Sequence, residues 1–85
     1  MIVDGNKYIQ FEFISSTGKT SRWVVLNKSH TTCLGNVVWF SGWRQYVFQP
    51  EFGTEFNNTC LDAISQFLAK LNSHQVEIPI SGRIS

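Results

Sequence analysis

Arg44 is the residue whose chemistry and neighbours point most directly to contact with a ligand. It stands between Trp43 and Tyr46, and a guanidinium flanked by aromatic rings can stack on a nucleobase or clamp a phosphate or a carboxylate. A structural role is the alternative, in which Arg44 stacks on a neighbouring ring or pairs with Glu51 or Glu55 and covers the sheet. The sequence leaves both roles open.

Other aromatic and basic residues extend this candidate contact set. Each aromatic ring near Arg44 belongs either to the core or to a binding surface. A nucleic-acid binder would stack bases on such rings and meet phosphates with the cations. The candidate binding residues are Arg22, Trp23, Trp39, Trp43, Arg44 and Tyr46, with Lys19 as a further phosphate contact.

The loop at residues 15–20 invites comparison with a phosphate-binding loop because it ends in Gly-Lys-Thr. The first glycine of that motif is missing, since position 13 is phenylalanine. The motif also requires a helix directly after it, whereas a β-rich segment follows here. We therefore predict an ordinary hairpin loop.

Cys33 and Cys60 are the only cysteines of the chain. A structural zinc site needs four ligands, and only His30 stands close to Cys33, so we expect no metal. A disulfide is disfavoured in a reducing cytosol, and two buried thiols are the prediction. No spacing of Ser, His and acidic residues pairs a nucleophile with a base. We therefore predict no catalytic residue, no cofactor and a protein that is not an enzyme.

The composition limits the classes of function. Aromatic residues make up 14% and charged residues only 15% of the 85 positions, against about 25% charged in typical soluble domains. A net charge of +1 without runs of like charge argues against a grip on long duplex DNA, but not against a nucleotide or a short single strand. Many rings and few charges predict exposed apolar area that serves self-association or a partner, with an ordinary monomer as the alternative. The lack of a secretion signal or an apolar run of about 18 residues predicts a soluble, cytoplasmic protein without membrane contact.

Alternation of apolar and polar residues predicts four strands, after a short polar lead with a turn at residues 1–7. A tight turn at Ser41-Gly42 is expected between the third and fourth strands, with positive φ at Gly42. Gly35 inside the third strand indicates a bulge or a close approach by another part of the backbone. The expected strands are 8–14, 21–27, 33–40 and 43–49, the last of which ends at Pro50.

A helix over about 60–71 is predicted because apolar residues recur there at helical spacing. Asn57, Asn58 and Thr59 are candidate N-caps, and Thr59 with Asp62 has the spacing of a capping box. The predicted apolar stripe comprises Leu61, Ile64, Leu68 and Leu71, widened by Cys60, Ala63 and Phe67. We expect a single domain over 1–72 and a tail over 73–85 that is an edge strand or disordered.

The predicted fold class is α+β: a four-stranded antiparallel β-meander followed by one C-terminal amphipathic helix packed on one sheet face. One helix covers only one face of so small a sheet. In the third strand, however, Val37 and Trp39 alternate with Val38 and Phe40, so both faces carry apolar groups. The second face therefore predicts a contact that the monomer does not supply.

The pattern Leu-Gly-x-Val-x-Trp-Phe-x-x-Trp-Arg-x-Tyr-x-Phe-x-Pro over residues 34–50, followed by a helix that opens near Cys60-Leu61, resembles a family of small proteins in phage, prophage and bacterial genomes. Members of that family show Trp-Tyr-Gly-x-Trp-Arg-x-Tyr at the place of residues 39–46. This chain departs from them at Phe40 and in the position of its turn glycine, which leaves the turn geometry open. The resemblance covers residues 34–71 and implies an origin and a fold, not an activity.

The predicted function is a non-catalytic small binding module, an accessory protein of a phage or mobile element. We expect it to contact a host or phage protein through the helix-free sheet face and to self-associate, as a homodimer, on that face or along a sheet edge. The alternative is a binder of a nucleotide or single-stranded nucleic acid that uses aromatic stacking and Arg44.

Overall fold

Five antiparallel strands form one sheet whose spatial order follows the chain, and one helix packs against it. The fold is that of a computed structural model, which describes residues 1–17, 19–30 and 32–73. The elements are β1 Ile2–Asp4, β2 Ile9–Ser16, β3 Ser21–Asn27, β4 Cys33–Phe40, β5 Gln45–Pro50 and α1 Asn58–Asn72. The predicted α+β class, the antiparallel meander and the C-terminal helix are confirmed, whereas the predicted number of strands is wrong.

The additional strand is β1, which pairs antiparallel with β2 so that Val3 lies opposite Phe11. The Asn6 side chain stabilises the turn between β1 and β2. Its carboxamide oxygen accepts hydrogen bonds from the backbone N–H groups of Tyr8 and Ile9 at 2.8 and 3.0 Å. A strand of three residues is too short to show a period-2 pattern, which is why the sequence predicts only a polar lead.

The core lies between α1 and one face of the sheet. Phe67 of the helix stacks on Phe11 of β2 with ring centroids 4.1 Å apart, and it meets the indole of Trp23 edge-on at 5.1 Å. Strand alternation brings every second residue of β2 to β5 to this face. The buried apolar residues are Ile9, Phe11, Trp23, Val25, Val37, Tyr46, Cys60, Ile64, Phe67 and Leu71.

The helix begins two residues earlier than predicted. Asn57 is the N-cap, and its side-chain oxygen accepts a hydrogen bond of 2.8 Å from the backbone N–H of Cys60. Thr59 therefore lies inside the first turn, and the predicted capping box of Thr59 and Asp62 is wrong. Leu61 was expected in the apolar stripe but is half exposed, because the stripe is centred one residue away, on Cys60 and Ile64.

The close approach predicted at Gly35 is confirmed. A Cβ atom at this position would lie 2.6 Å from the ring of Phe48 and 2.6 Å from the backbone oxygen of Gln49. The register of β3 and β4 also shifts between Val25 and Leu26, directly beside this glycine. The missing side chain of Gly35 thus makes room for the Phe48 ring.

The sheet face turned away from the helix carries apolar and polar groups together, and we call it the open face. Val38 and Val47 pair across β4 and β5 on this face and are half-buried. A polar chain runs beside them: the Arg22 guanidinium donates to the Asn36 side-chain oxygen at 3.4 Å, and the Asn36 amide donates to the Glu51 carboxylate at 3.4 Å.

The C-terminal end of the described chain is Ser73, whose hydroxyl donates to the backbone oxygen of Ala69 at 2.8 Å. The predicted edge strand or disordered tail, apart from Ser73, falls on residues 74–85 and lies outside the described residues. In the part of the chain that is described, no helix is long and apolar enough to cross a bilayer.

Candidate functional site: the aromatic tip of the β4–β5 hairpin

The turn between β4 and β5 contains four residues, 41–44, and not the predicted two. Phe40 pairs with Gln45, and the turn is closed by hydrogen bonds from Trp43 N to Phe40 O at 3.2 Å and from Arg44 N to Ser41 O at 3.3 Å. Trp43 and Arg44 therefore belong to the turn, and the prediction that the fourth strand starts at position 43 is wrong. The longer turn frees both side chains from the alternation of the sheet.

The positive φ expected at Gly42 is found at Arg44 instead, where φ is 53°. A side chain in this left-handed region adds about 1–2 kcal/mol of steric strain. Gly42 has a different role: a Cβ atom there would lie 3.0 Å from the Phe40 ring. Glycine at position 42 thus makes room for that ring, and the arginine takes the strained position of the turn.

The Arg44 side chain is exposed at the end of the hairpin. Among the described residues it has no ion pair, hydrogen bond or ring contact. The pairing with Glu51 or Glu55 considered as a structural role is therefore not found there. Residues in a strained backbone conformation such as that of Arg44 cluster at functional sites.

Three exposed aromatic side chains lie at the same end of the hairpin as Arg44. Trp43 is 68% exposed and meets the Phe40 ring edge-on at 5.1 Å. Trp39 and Phe40 are 40% and 41% exposed, and they point to opposite sheet faces because they are neighbours in one strand. We call Trp39, Phe40, Trp43 and Arg44 the aromatic tip. It presents apolar area on both sides of the hairpin and one positive charge in the turn.

The base of the aromatic tip is held by the core and by the end of the helix. Tyr46 is buried, packs edge-on against Trp39 at 5.4 Å and accepts a hydrogen bond of 3.0 Å from the backbone N–H of Ser21 through its hydroxyl. Its own backbone N–H donates to the Asn72 side-chain oxygen at 2.7 Å. The residue at the base of the turn is therefore held by both the core and the helix.

The structure brings together three of the six candidate binding residues: Trp39, Trp43 and Arg44. Trp23 has no exposed surface, and its indole N–H donates to the Ser21 hydroxyl at 2.8 Å. Tyr46 is also buried, so neither ring can reach a ligand in this fold. Arg22 is exposed but lies in β3 on the open face, bound to Asn36.

Sequence reasoning did not place Phe40, Asn72 and Phe52 in functional positions. No local pattern identifies Asn72, because its partner lies 26 residues away. Phe52 could have been found: Gly53 follows it in a loop, glycine is typical of the third position of a type II turn, and the residue before it then lies at the corner of the turn. The structure leaves Phe52 fully exposed.

Cys33 and Cys60 are free, with Cys60 buried and Cys33 half-buried. Over residues 1–17, 19–30 and 32–73, no group of three His, Cys, Asp or Glu side chains could hold a metal ion. The aromatic tip offers apolar contact and one guanidinium, whose N–H groups can donate charge-assisted hydrogen bonds.

Comparison with known proteins places the chain beside a phage protein. An uncharacterised 9.3 kDa protein of Acholeplasma phage L2 is 29% identical over 72 residues, which cover 84% of this chain and 92% of that protein. No model of a known protein family matches the chain, and no solved structure matches it. The similarity is consistent with a small phage-associated family.

Proposed function

We propose that this chain is a non-catalytic binding module, an accessory protein of a phage or mobile element that acts in the host cytoplasm through protein–protein contacts. Its contact surface is the aromatic tip. The observation that carries the proposal is the exposure of Trp43 beside Arg44 on a hairpin turn that the core holds in place. A phage relative of nearly equal length supports the origin.

The composition of the aromatic tip favours a protein partner. Tryptophan and arginine dominate the hot spots of protein interfaces, where a few residues supply most of the binding free energy. Aromatic residues are enriched and lysines depleted at interface centres, and residues 34–50 contain three aromatic types and no lysine. A turn closed by backbone hydrogen bonds also loses less conformational entropy on binding than an open loop.

The open face, which the sequence predicted as the contact surface, offers a weaker site. Its valines are half-buried, and the chain from Arg22 through Asn36 to Glu51 runs across it. A homodimer through this face or along a sheet edge stays part of the proposal as a secondary contact. The aromatic tip exposes larger side chains and is the surface to test first.

The test is co-purification of a tagged chain from phage-infected host cells, with Trp43→Ser compared against Leu61→Ser. Both variants remove an exposed apolar side chain. Leu61 lies in the first turn of α1, about 16 Å along the helix from Asn72 at 1.5 Å per residue. Since Asn72 binds the base of the aromatic tip, Leu61 is distant from that surface. Proteins that bind the aromatic tip should be lost with Trp43→Ser and retained with Leu61→Ser. Equal recovery with both variants would refute the tip as the contact surface.

A nucleotide or single-stranded nucleic acid is the second candidate partner, favoured by the exposed side chains of Arg44 and Trp43 on one turn. Such a ligand would stack on Trp43 and place one phosphate on Arg44. A labelled oligothymidylate is the probe. Binding that Arg44→Ala abolishes, and that weakens with salt at a log–log slope near −0.7 for one phosphate contact, would support this candidate. Binding unchanged in Arg44→Ala would exclude the role given to the arginine.

A further inference from the structure

A second exposed feature lies at the other end of β5 from the aromatic tip. Phe52 projects from a turn in which Thr54 donates to the Glu51 backbone oxygen through its N–H at 3.3 Å and its hydroxyl at 2.8 Å. Gly53 supplies the positive φ of 81° that the turn needs at its third residue. The Phe52 ring is fully exposed and held outward.

Phe52 has acidic neighbours. Glu51 and Glu55 flank the turn and are exposed. Within the described residues Glu55 makes no hydrogen bond or ion pair, whereas Glu51 accepts from Asn36. We call Glu51, Phe52 and Glu55 the acidic turn. It offers an aromatic ring with negative charge beside it, and the aromatic tip offers rings with positive charge.

A single copy cannot join these two surfaces. They lie on either side of the six residues of β5, which span about 20 Å at roughly 3.3 Å per residue. The strand is extended and paired with β4 along its length. Any contact between an acidic turn and an aromatic tip must therefore be made between two copies.

We propose that the acidic turn of one copy seats on the aromatic tip of a second copy, in a head-to-tail contact. Phe52 packs against the paired rings of Phe40 and Trp43, and Glu55 pairs with Arg44. The symmetric alternatives are disfavoured by charge: two tips face to face bring two Arg44 side chains together, and two acidic turns bring four carboxylates together. Like charges across an interface oppose association, whereas opposite charges steer it.

A head-to-tail contact leaves one free tip and one free acidic turn on every pair, so it continues into a ring or a chain of copies. One inserted ring and one ion pair make a small interface, below the about 1,200 Å² of stable complexes, so association is weak and depends on concentration. The inference shares one premise with the proposed function, namely that the aromatic tip is a contact surface. A foreign partner and a second copy would then compete for the same tip.

The test uses charge reversal and mixing, followed by sedimentation velocity over a range of concentrations. Arg44→Glu places a carboxylate at both pairing positions, 44 in the tip and 55 in the acidic turn. Glu55→Arg places a guanidinium at both of these positions, while Glu51 keeps its charge. We expect each variant alone to associate about tenfold more weakly than the parent chain. An equimolar mixture of the two should recover association, since every contact between unlike copies is again between opposite charges. The double variant with both changes in one chain should also recover it.

Three results would overturn the proposal. If the parent chain keeps the 9.7 kDa mass of one copy at every concentration, self-association is excluded. The co-purification experiment with Trp43→Ser tests the proposed function independently of this result. Association that neither charge reversal weakens assigns the contact to the open face or to a strand edge. Single variants that weaken but do not recover on mixing exclude the head-to-tail pairing. A Phe52→Ser variant checks the apolar half of the contact and should weaken association with the fold intact by circular dichroism.

Discussion

The side-chain oxygen of Asn72, in the last turn of the helix, accepts a hydrogen bond of 2.7 Å from the backbone N–H of Tyr46. Tyr46 lies in the edge strand β5, and this N–H points away from β4. The bond therefore satisfies an edge donor that another strand could otherwise use. It also ties the end of α1 to the strand that directly follows the aromatic tip.

Replacing Asn72 by alanine should release this end of the strand. We expect a loss of about 1 kcal/mol in the free energy of unfolding, the net value of one hydrogen bond. Hydrogen exchange of the Tyr46 amide should accelerate more than exchange in β2 or β3. Asn72→Asp keeps an acceptor and is the matched control. Equal protection of the Tyr46 amide in the alanine variant and the parent would contradict the assignment.

The strained backbone at Arg44 predicts an unusual gain in stability. Arg44→Gly removes both the guanidinium and the Cβ atom, whereas Arg44→Ala removes the guanidinium and keeps the left-handed strain. The glycine variant should be more stable than the alanine variant by about 1 kcal/mol in urea unfolding. Both should lose binding to a partner that uses the guanidinium. An alanine variant at least as stable as the glycine variant would show that the turn carries no strain.

Tyr46 is expected to act through the core and not through contact with a partner. Tyr46→Phe leaves the buried N–H of Ser21 without its acceptor and should lower the free energy of unfolding by about 1–3 kcal/mol. Tyr8→Phe, at an exposed ring, should change it by less than about 0.5 kcal/mol. Thermal unfolding of both variants decides the point. Loss of partner binding in a fully folded Tyr46→Phe protein would argue for a direct contact.

Gly35 and Gly53 make a matched pair for glycine substitution. Gly35→Ala drives a Cβ atom into the Phe48 ring and a backbone oxygen at 2.6 Å, and overpacking of this kind costs about 1–3 kcal/mol. Gly53→Ala meets nothing within 4 Å, so only its positive φ acts, at about 1 kcal/mol. Chemical denaturation should give a lower free energy of unfolding for Gly35→Ala than for Gly53→Ala. The reverse order would contradict the close approach of Phe48 and Gln49 to Gly35.

Much of the fold follows from local patterns in the chain. The alternation of Phe11 and Phe13 with Gln10 and Glu12 predicted a half-buried strand, and β2 is confirmed there with Phe11 in the core. Such patterns work because burial imposes the period of the element on the sequence. Strand β1 could not be predicted from such patterns. Ile2–Asp4 is held by the Asn6 turn and by pairing with β2, and its three residues show no pattern of their own.

The candidate site was predictable in part. Arg44 and Trp43 can be identified from the sequence, because aromatic and cationic residues that stand together are a local signal. The turn geometry cannot be predicted in this way. Gly42 indicates a two-residue loop, but in the structure the Phe40 ring occupies the space that this glycine leaves. Trp23 has the same composition signal as Trp43, and only tertiary packing against Phe67 assigns it to the core.

The most direct test of the account is the affinity of the purified chain for a protein that co-purifies with it, measured by calorimetry for the parent, Trp43→Ser and Leu61→Ser. Loss of a hot-spot aromatic should weaken binding by at least about 30-fold in Trp43→Ser, the equivalent of about 2 kcal/mol. Leu61→Ser should stay within about threefold of the parent. Equal affinities for all three proteins would contradict the claim that the aromatic tip is the contact surface.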